Sequence, residues 1–458
     1  MKERLLEKRC QSLADSKLCR LHMPGHKGRT NHDVNFMALD YTEIEGTDNL
    51  HHPVEIIAAV QEKIAALYGS EETHLLVGGT TVGILAAIMG TCQEKEKLIV
   101  PLNSHKSVYS ALMFGRIEPV FIQPTIEQGL GVLITKEAVL DCLEKNPDVK
   151  GMILVNPTYY GSVSDTRAIA KVLHQKGKFL IVDEAHGAHL KFCDHLPEDG
   201  VTAGADLVIQ STHKILSALT QSAVLHQQGN RVDAIKIARL LTMLQSSSPS
   251  YPLMMSIENA IDEAATEANE QFAQIDLKWQ HFFKHQDHTA NITLKRPTAA
   301  YDTSKWLFHV KSGNGPTIEK RLREKDGLVF EFAEKDYLLA MTGMGTTIDD
   351  LDRLIAGIDR ENKSAYEAGL LLQEPIMPLP QLGSPMGEAF FKGTKQACLL
   401  EDTVGKIAGD FVIPYPPGIP ILVPGTKITV EQVQQIQRSQ EAGERVLGLK
   451  DNKIEIVE

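Results

Sequence analysis

Short apolar runs alternate with helical patterns from about residue 53 to 250, and no other feature narrows the fold so far. The runs are KLIVPL (97–102), EPVFIQP (118–124), KGMILVNP (150–157), KFLIVD (178–183) and DLVIQS (206–211). Each is apolar on successive residues, so both of its faces must be covered. Runs of this kind separated by helices indicate a parallel sheet flanked by helices. The expected class is α/β, with a mostly parallel central sheet in a large domain.

The flanking regions read differently. Residues 1–50 are expected to form a helix and then an irregular arm rich in Gly, His and Asp. MMSIENAIDEAATEANEQF (254–272) reads as a long helix able to join two lobes. Beyond 300, WLFHV (306–310), GLVFEFAE (327–334) and YLLAMTG (337–343) precede TTIDDLDRLIAGIDRE (346–361), a helix with Thr347 or Thr346 as N-cap. Two or three strands and a capped helix suggest a smaller α/β C-terminal lobe. A Pro/Gly run, IPYPPGIPILVPG (413–425), and a helix from TVEQVQQIQRSQEAG follow. The expected division is an arm over 1–52, a large domain over 53–290 and one or more small domains over 291–458.

Composition excludes several classes. A chain of 458 residues with 43% apolar and 23% charged residues matches a soluble globular protein of two or three lobes. No apolar stretch is long enough for a bilayer, and MKERLLEKRCQSLAD is too charged for a signal peptide. The six cysteines lack any Cys-x-x-Cys pair, which argues against zinc or a disulfide framework and for a reducing cytoplasm. A net charge of −12 disfavours nucleic acid and mildly favours a cationic small ligand.

The chemistry lies at the ends of the predicted strands. KFLIVD ends on Asp183, and DLVIQ ends in Ser211-Thr212-His213-Lys214. A strand ending in a carboxylate and one ending in Ser-x-His-Lys form the layout that holds pyridoxal 5'-phosphate. The lysine forms a Schiff base, the carboxylate pairs with the protonated pyridine nitrogen and small hydroxyls hold the phosphate. VGGTTVGILAAIMG (77–90) sets two glycines, Thr80 and Thr81 before an apolar helix, a start suited to an anion. It is not a P-loop, because no Gly-Lys-Ser/Thr follows. In NSHKSVYSAL (103–112), His105 stands after a strand, where an imidazole can lie on a ring or simply cap a helix. DEAHGAH (183–189) also matches certain helicases, but those need a P-loop. His186 and His189 have no zinc-type partners in the pattern. Small Ala185 and Gly187 beside the carboxylate suit close approach of a flat ring.

Taken together, these stretches resemble the Orn/Lys/Arg decarboxylases, a branch of the fold-type-I pyridoxal-phosphate enzymes related to the aspartate aminotransferase fold. The resemblance is carried by HMPGHKG (22–28), GTDNLHHP (46–53), SHKS around His105, STHKILSALTQSA, SSSPSYP (246–252) and YPPGIP (415–420). It implies that Lys214 carries the cofactor, Asp183 meets the pyridine nitrogen and His105 stacks on the ring. Thr80, Thr81, Ser211 and His213 would surround the phosphate, and Ser247 would reach the phosphate of a neighbouring subunit. Because HMPGHKG begins by residue 22, the chain resembles the short Gram-positive form without an N-terminal receiver-like lobe. A homodimer or higher homo-oligomer with shared active sites is therefore expected.

The implied reaction is decarboxylation of a basic amino acid to its amine and carbon dioxide. Arginine, giving agmatine for polyamines, is favoured over lysine (cadaverine) or ornithine (putrescine). Lys214 and His213 both qualify as proton donors to Cα. Glu45, Asp48 and Glu331 are candidates to meet the substrate's distal cation, since an unpaired buried charge is costly. The alternatives are an aminotransferase using the same Lys and Asp, or an inactive, cofactor-free protein of this fold.

Overall fold

The structure is a computed structural model, and it describes residues 5–16, 18–29, 36–127, 130–364, 379–415, 418–441, 443 and 445–458. Helix α1 (Leu5–Asp15) and strand β1 (Cys19–Leu21) precede α2 (Ile56–Tyr68), β2 (Glu72–Leu76), α3 (Gly79–Thr91), β3 (Lys97–Pro101), α4 (Lys106–Gly115) and β4 (Glu118–Ile122). A hairpin of β5 (Thr125–Glu127) and β6 (Leu130–Leu133) leads to α5 (Lys136–Lys145), β7 (Gly151–Val155), α6 (Thr166–Gln175) and β8 (Phe179–Asp183). Then come β9 (Leu207–Ser211), β10 (Ala223–Gln227), α7 (Ala234–Leu244) and the long α8 (Tyr251–His285).

The central sheet has seven strands in the order β2-β10-β9-β8-β7-β3-β4. Only β10 runs against its neighbours; the other strands are parallel. All five residues of β8 and of β9 are buried, which is why the runs are continuously apolar. Successive side chains go to opposite faces. Ile153, Ile181 and Ile209 enter the cluster with α3 and α4, while Met152, Leu180 and Val208 enter the one with α5 and α6. Each such aliphatic side chain contributes about 1.5–3 kcal/mol when fully buried. From β3 the chain moves outward to β4, and from β7 it moves the other way to β8 and β9. The crevice at such a reversal, beyond the carboxyl ends of the strands, is where open α/β sheets bind ligands.

Helix α8 is longer than the 254–272 expected for it and packs against a second sheet. Its stripe of Met254, Ile257, Ile261, Ala264, Ala268, Phe272, Ile275, Trp279 and Phe282 lies in one apolar cluster with Trp306, Phe308 and Leu338. Those residues belong to a second sheet, formed from β11 (Ile292–Lys295), β12 (Lys305–Val310), β14 (Phe332–Ala333) and β15 (Tyr337–Met341). This sheet is antiparallel, ordered β11-β12-β15-β14. The run read as one strand, GLVFEFAE, splits at Glu331. Its first half is β13 (Leu328–Phe330), which pairs in parallel with β1 from the arm, so the arm is not wholly irregular. Helix α9 (Gly315–Asp326) precedes β13, and α10 (Ile348–Asn362) starts at Thr347 with a complete capping box to Asp350. Beyond 379 come α11 (Met386–Phe391), β16 (Lys395–Leu399), β17 (Ile407–Ala408), β18 (Ile413–Tyr415), α12 (Val430–Glu441), β19 (Arg445–Leu447) and β20 (Lys453–Val457). This part encloses a separate apolar cluster that includes Leu400, Val412, Leu422, Ile436 and Ile456.

A buried ionic group lies at the start of β12. Lys305 and Asp302 are fully enclosed, with Nζ 3.1 Å from Oδ2, and His189 Nε2 stands 3.1 Å from Oδ1. Burial alone would raise the Asp302 carboxyl, but Lys305 and His189 hold it well below the usual carboxylate range. A depressed folded-state pKa stabilises above the ordinary carboxylate range and is lost as pH falls towards strongly acid values. Asp302→Ala leaves the Lys305 ammonium without its partner and is expected to destabilise by roughly 3–5 kcal/mol in urea unfolding. Asp302→Ala with Lys305→Met should recover much of that loss. A single variant as stable as the parent would show that the pair contributes nothing.

Candidate active site

The site is assembled from loops at the carboxyl ends of β2, β3, β7, β8 and β9. Asp183 is the last residue of β8, and its Cα pairs with that of Ile209 on β9. Its side chain is buried, and Oδ1 accepts a hydrogen bond from the Ala185 amide at 3.2 Å. Burial raises the Asp183 pKa, opposed by the positive charge of Lys214. Lys214 lies three residues beyond β9. Burial lowers its pKa, opposed by Asp183 and Glu331. A buried carboxylate and a buried amine thus face each other electrostatically, each moderating the other's desolvation.

His105 caps α4. Its Nδ1 lies 2.9 Å from the Ser107 hydroxyl and accepts from the Ser107 amide at 3.3 Å. Burial and the charges of Lys214 and Lys106 pull its pKa down to about 4, so the ring is neutral near pH 7. A Cβ on Gly418 would stand 3.5 Å from His105 Cδ2, so the C-terminal part of the chain packs on this ring at a glycine with φ +90. Pro416 and Pro417 of the same YPPGIP stretch lie outside the described residues.

His213 Nδ1 lies 2.9 Å from the Ser222 carbonyl, which can only accept. The neutral ring therefore carries its hydrogen on Nδ1 and presents a bare Nε2. Burial lowers its pKa. Thr80 and Thr81 lie within the first turn of α3, not before it, with Thr80 half-buried and Thr81 exposed. Ser247 is exposed in the loop between α7 and α8, so nothing of its own chain encloses it. Ala185 is buried against Asp183. Gly187 has a different reason to be small: a Cβ there would stand 2.5 Å from Glu184 Cγ and 2.9 Å from Pro157 Cδ.

Of the three carboxylates weighed for a distal cation, Glu45 is exposed on the arm. Asp48 caps a helix: its carboxylate accepts from the amides of Asn49, Val54, Glu55 and Ile57 at 2.8–3.1 Å, opening α2. Those bonds outweigh its desolvation and lower its pKa. Glu331 remains. It accepts from the Met23 amide at 2.9 Å and the Tyr159 hydroxyl at 2.8 Å, and its charge acts on Lys214.

Two features were not legible in the motifs. Lys214 Nζ lies 3.0 Å from His186 Nε2, so His186 and His189 diverge to different partners. The only available signal was the offset of His186, three residues past the strand-end carboxylate. Secondly, Ser104 Oγ, Ser211 Oγ and Thr212 Oγ1 are buried with no hydrogen-bond partner among the described residues. An unsatisfied buried polar group costs roughly 1–3 kcal/mol. Hydroxyls left open beside a moderated lysine and an enclosed carboxylate fit a ligand that brings an anion, an aldehyde and a protonated ring nitrogen.

The chain also matches known proteins in sequence and in fold. The family model for the Orn/Lys/Arg decarboxylase major domain matches residues 14–315, and that for the C-terminal domain of the same family matches 381–452. Arginine decarboxylase of Bacillus subtilis (strain 168) is 33% identical over 95% of this chain and 93% of that protein. Lysine decarboxylase A from Pseudomonas aeruginosa superposes with a TM-score of 0.77 over 99% of this chain and 82% of that one, at 17% identity. Ureidoglycine-glyoxylate aminotransferase from Bacillus subtilis gives a TM-score of 0.55 over 69% of this chain and 87% of that one, at 14% identity. The fold is that of the fold-type-I pyridoxal-phosphate enzymes.

Asp48→Ala tests the capping role assigned above. The variant should lose roughly 1–2 kcal/mol of stability, the scale of a lost helix cap, read as a lowered thermal midpoint. Loss of turnover at unchanged stability would return Asp48 to the candidates for substrate binding.

Proposed function

The chain belongs to the Orn/Lys/Arg decarboxylase family, and on that premise we propose that it decarboxylates arginine to agmatine with pyridoxal 5'-phosphate held at Lys214. The observation that carries this reading is Asp183 and Lys214 at the carboxyl ends of adjacent parallel strands, beside buried hydroxyls without partners. Relatives at 33% identity over nearly the whole chain are named arginine decarboxylases, which supports arginine. Its product, agmatine, is a precursor of polyamines.

In this assignment the cofactor, when bound, supplies an electrophilic aldehyde and a pyridinium that draws electrons from the substrate's Cα. Asp183 holds the proton on the pyridine nitrogen. Its burial makes an uncompensated carboxylate costly, so a cationic ring nitrogen is a strongly preferred neighbour. His105, neutral and fixed through Nδ1, offers the ring a flat face, and Ala185 leaves room on the side of the carboxylate. Ser211, His213, Thr80 and Thr81 would hold the phosphate, aided by the free amides at the start of α3. Lys214 carries the proton to Cα. Burial lowers the Lys214 pKa and so eases release of its proton, whereas the bare Nε2 of neutral His213 has no proton to give.

Glu331 meets the guanidinium. It is half-buried, already shaped by Tyr159 and the Met23 amide, and its charge extends to Lys214. A guanidinium presents a planar fork of donors that a carboxylate can engage at two points. Tyr159 and the Met23 amide hold that carboxylate in place against its own side-chain freedom.

A homodimer completes the assignment. Met37, Tyr41, Ile44, Val54, Ile56 and Met243 are exposed around the arm and the end of α7. A cleft of about 550 Å³ opens between Asp40–Ile44 of the arm and Ser248–Ser250. Apolar exposure of this kind supports burial against a second copy, with Ser247 donated to the partner's phosphate. No helix among the described residues is long and apolar enough to cross a membrane. Cys19, Cys92, Cys142 and Cys193 are buried, and the six cysteines are scattered through the sequence rather than paired at short spacing, which supports a reducing compartment, and we assign the cytoplasm.

Carbon dioxide release from arginine, lysine and ornithine, measured separately, tests the substrate. Arginine should lead, and Lys214→Ala should release none while losing the visible absorption of bound cofactor. Equal release from a Lys214→Ala chain would overturn the assignment. Shared sites are tested by mixing Ser247→Ala and Lys214→Ala chains. Each hybrid dimer should regain one tight cofactor site, combining Lys214 of one chain with Ser247 of the other. A fully active monomer in sedimentation would refute the dimer and the role of Ser247 together.

A further inference from the structure

We propose that His186 is a positioning residue for Lys214: its Nε2 holds the lysine Nζ in the one orientation from which the amine meets the cofactor aldehyde. The inference rests on the reading of Lys214 given above and adds a residue that reading does not use.

The geometry is specific. His186 leaves β8 three residues after Asp183, is 6% exposed, and has Nε2 3.0 Å from Lys214 Nζ. Its Nδ1 is buried with no partner among the described residues. Tyr159 stands edge-on to the imidazole, with ring centroids 5.1 Å apart at 81°. Tyr159 is itself stacked on Phe332 at 5.5 Å and tied through its hydroxyl to Glu331. The imidazole is therefore walled in, and the line from Nε2 to Nζ has little freedom. If the position served packing alone, an apolar ring would fill it without leaving a nitrogen unsatisfied. What an apolar ring lacks is the acceptor.

The titratable groups acting on the pair are Asp183, Glu331, Lys305, Asp302 and His105, the last neutral near pH 7. Burial, with Lys214 and Lys305, keeps His186 uncharged, so a charged Lys214 donates to it. Capture of the aldehyde requires Lys214 first to shed its extra proton. The Nζ lone pair then adds to the aldehyde carbon, a carbon–nitrogen double bond forms, and the carbonyl oxygen leaves as water with both amine hydrogens. His186 acts on the direction of that lone pair. As an acceptor it also favours the charged lysine, raising its pKa against the effect of burial.

The test uses His186→Gln and His186→Asn in the full chain. The Gln carbonyl extends to about the position of Nε2, and the Asn carbonyl stops one bond short. Cofactor is removed, pyridoxal 5'-phosphate is added back, and growth of visible absorption is followed as a function of pH. His186→Asn should capture the cofactor about tenfold or more slowly, the scale expected for a misplaced reacting group. Its pH limb should move to lower pH, because the ammonium has lost an acceptor. His186→Gln should restore both rate and limb. If Asn and Gln variants behave alike, whether both fast or both slow, the positioning role is overturned. If the parent chain itself shows no covalent capture, the assignment of Lys214 fails instead.

Discussion

Lys214 is held in register by three backbones that meet almost without side chains between them. The Gly25 amide donates to the His213 carbonyl at 2.8 Å, the Met344 amide to the Ile215 carbonyl at 3.0 Å and the Gly345 amide to the Gly25 carbonyl at 3.0 Å. A Cβ on Gly25 would stand 2.3 Å from Ile215 O, one on Gly343 2.7 Å from the same atom, and one on Gly345 2.2 Å from His26 O. No side chain larger than hydrogen fits at any of the three. The segment carrying Lys214 is thus clamped by the arm on one side and by the turn after β15 on the other. This explains why HMPGHKG, far from Lys214 in sequence, belongs to the same site.

Charge is managed around that clamp by pairing buried cations with carboxylates and carbonyls. Lys27 is buried, and its Nζ donates to the His22 and Met341 carbonyls at 2.7 and 2.9 Å, tying the arm to the end of β15. Burial pulls its pKa down to about 7, against the charge of Glu331. Lys305 is matched by Asp302, and Lys214 by Asp183 across the ends of β8 and β9. Glu331 sits among these groups and acts on both Lys27 and Lys214. A low-dielectric crevice with so few screened charges makes each protonation state depend on its neighbours. That dependence suits the proposed reaction, in which Lys214 alternates between amine and ammonium.

Much of this was legible in the sequence because it is locally encoded. Short continuous apolar runs separated by helical patterns indicate strands buried on both faces, and the residues ending them, Asp183 and Ser211 to Lys214, emerge at one edge of the sheet. Thr347 opens α10 because a threonine followed three residues later by Asp350 satisfies the first helical amides within a single turn. Asp48 misled for the converse reason. A carboxylate in a polar arm looks available, yet it closes on amides up to nine residues ahead once the chain turns. GLVFEFAE gave one apolar run where two strands form, because its halves pair with β1 and β15, and neither partner is visible from the run itself.

The sequence by itself determined the parallel sheet, the polar residues that end its strands and the family, since each depends on short-range pattern. Only the tertiary structure decided that His186 touches Lys214, that Gly187 is small for Pro157 and Glu184, and that Glu331 outlasts Glu45 and Asp48 as the carboxylate near the lysine. Those outcomes depend on distances between segments separated by tens to hundreds of residues. They exist only after the arm, β15 and the β9 loop have been brought together, and no local pattern specifies how closely separate backbones approach.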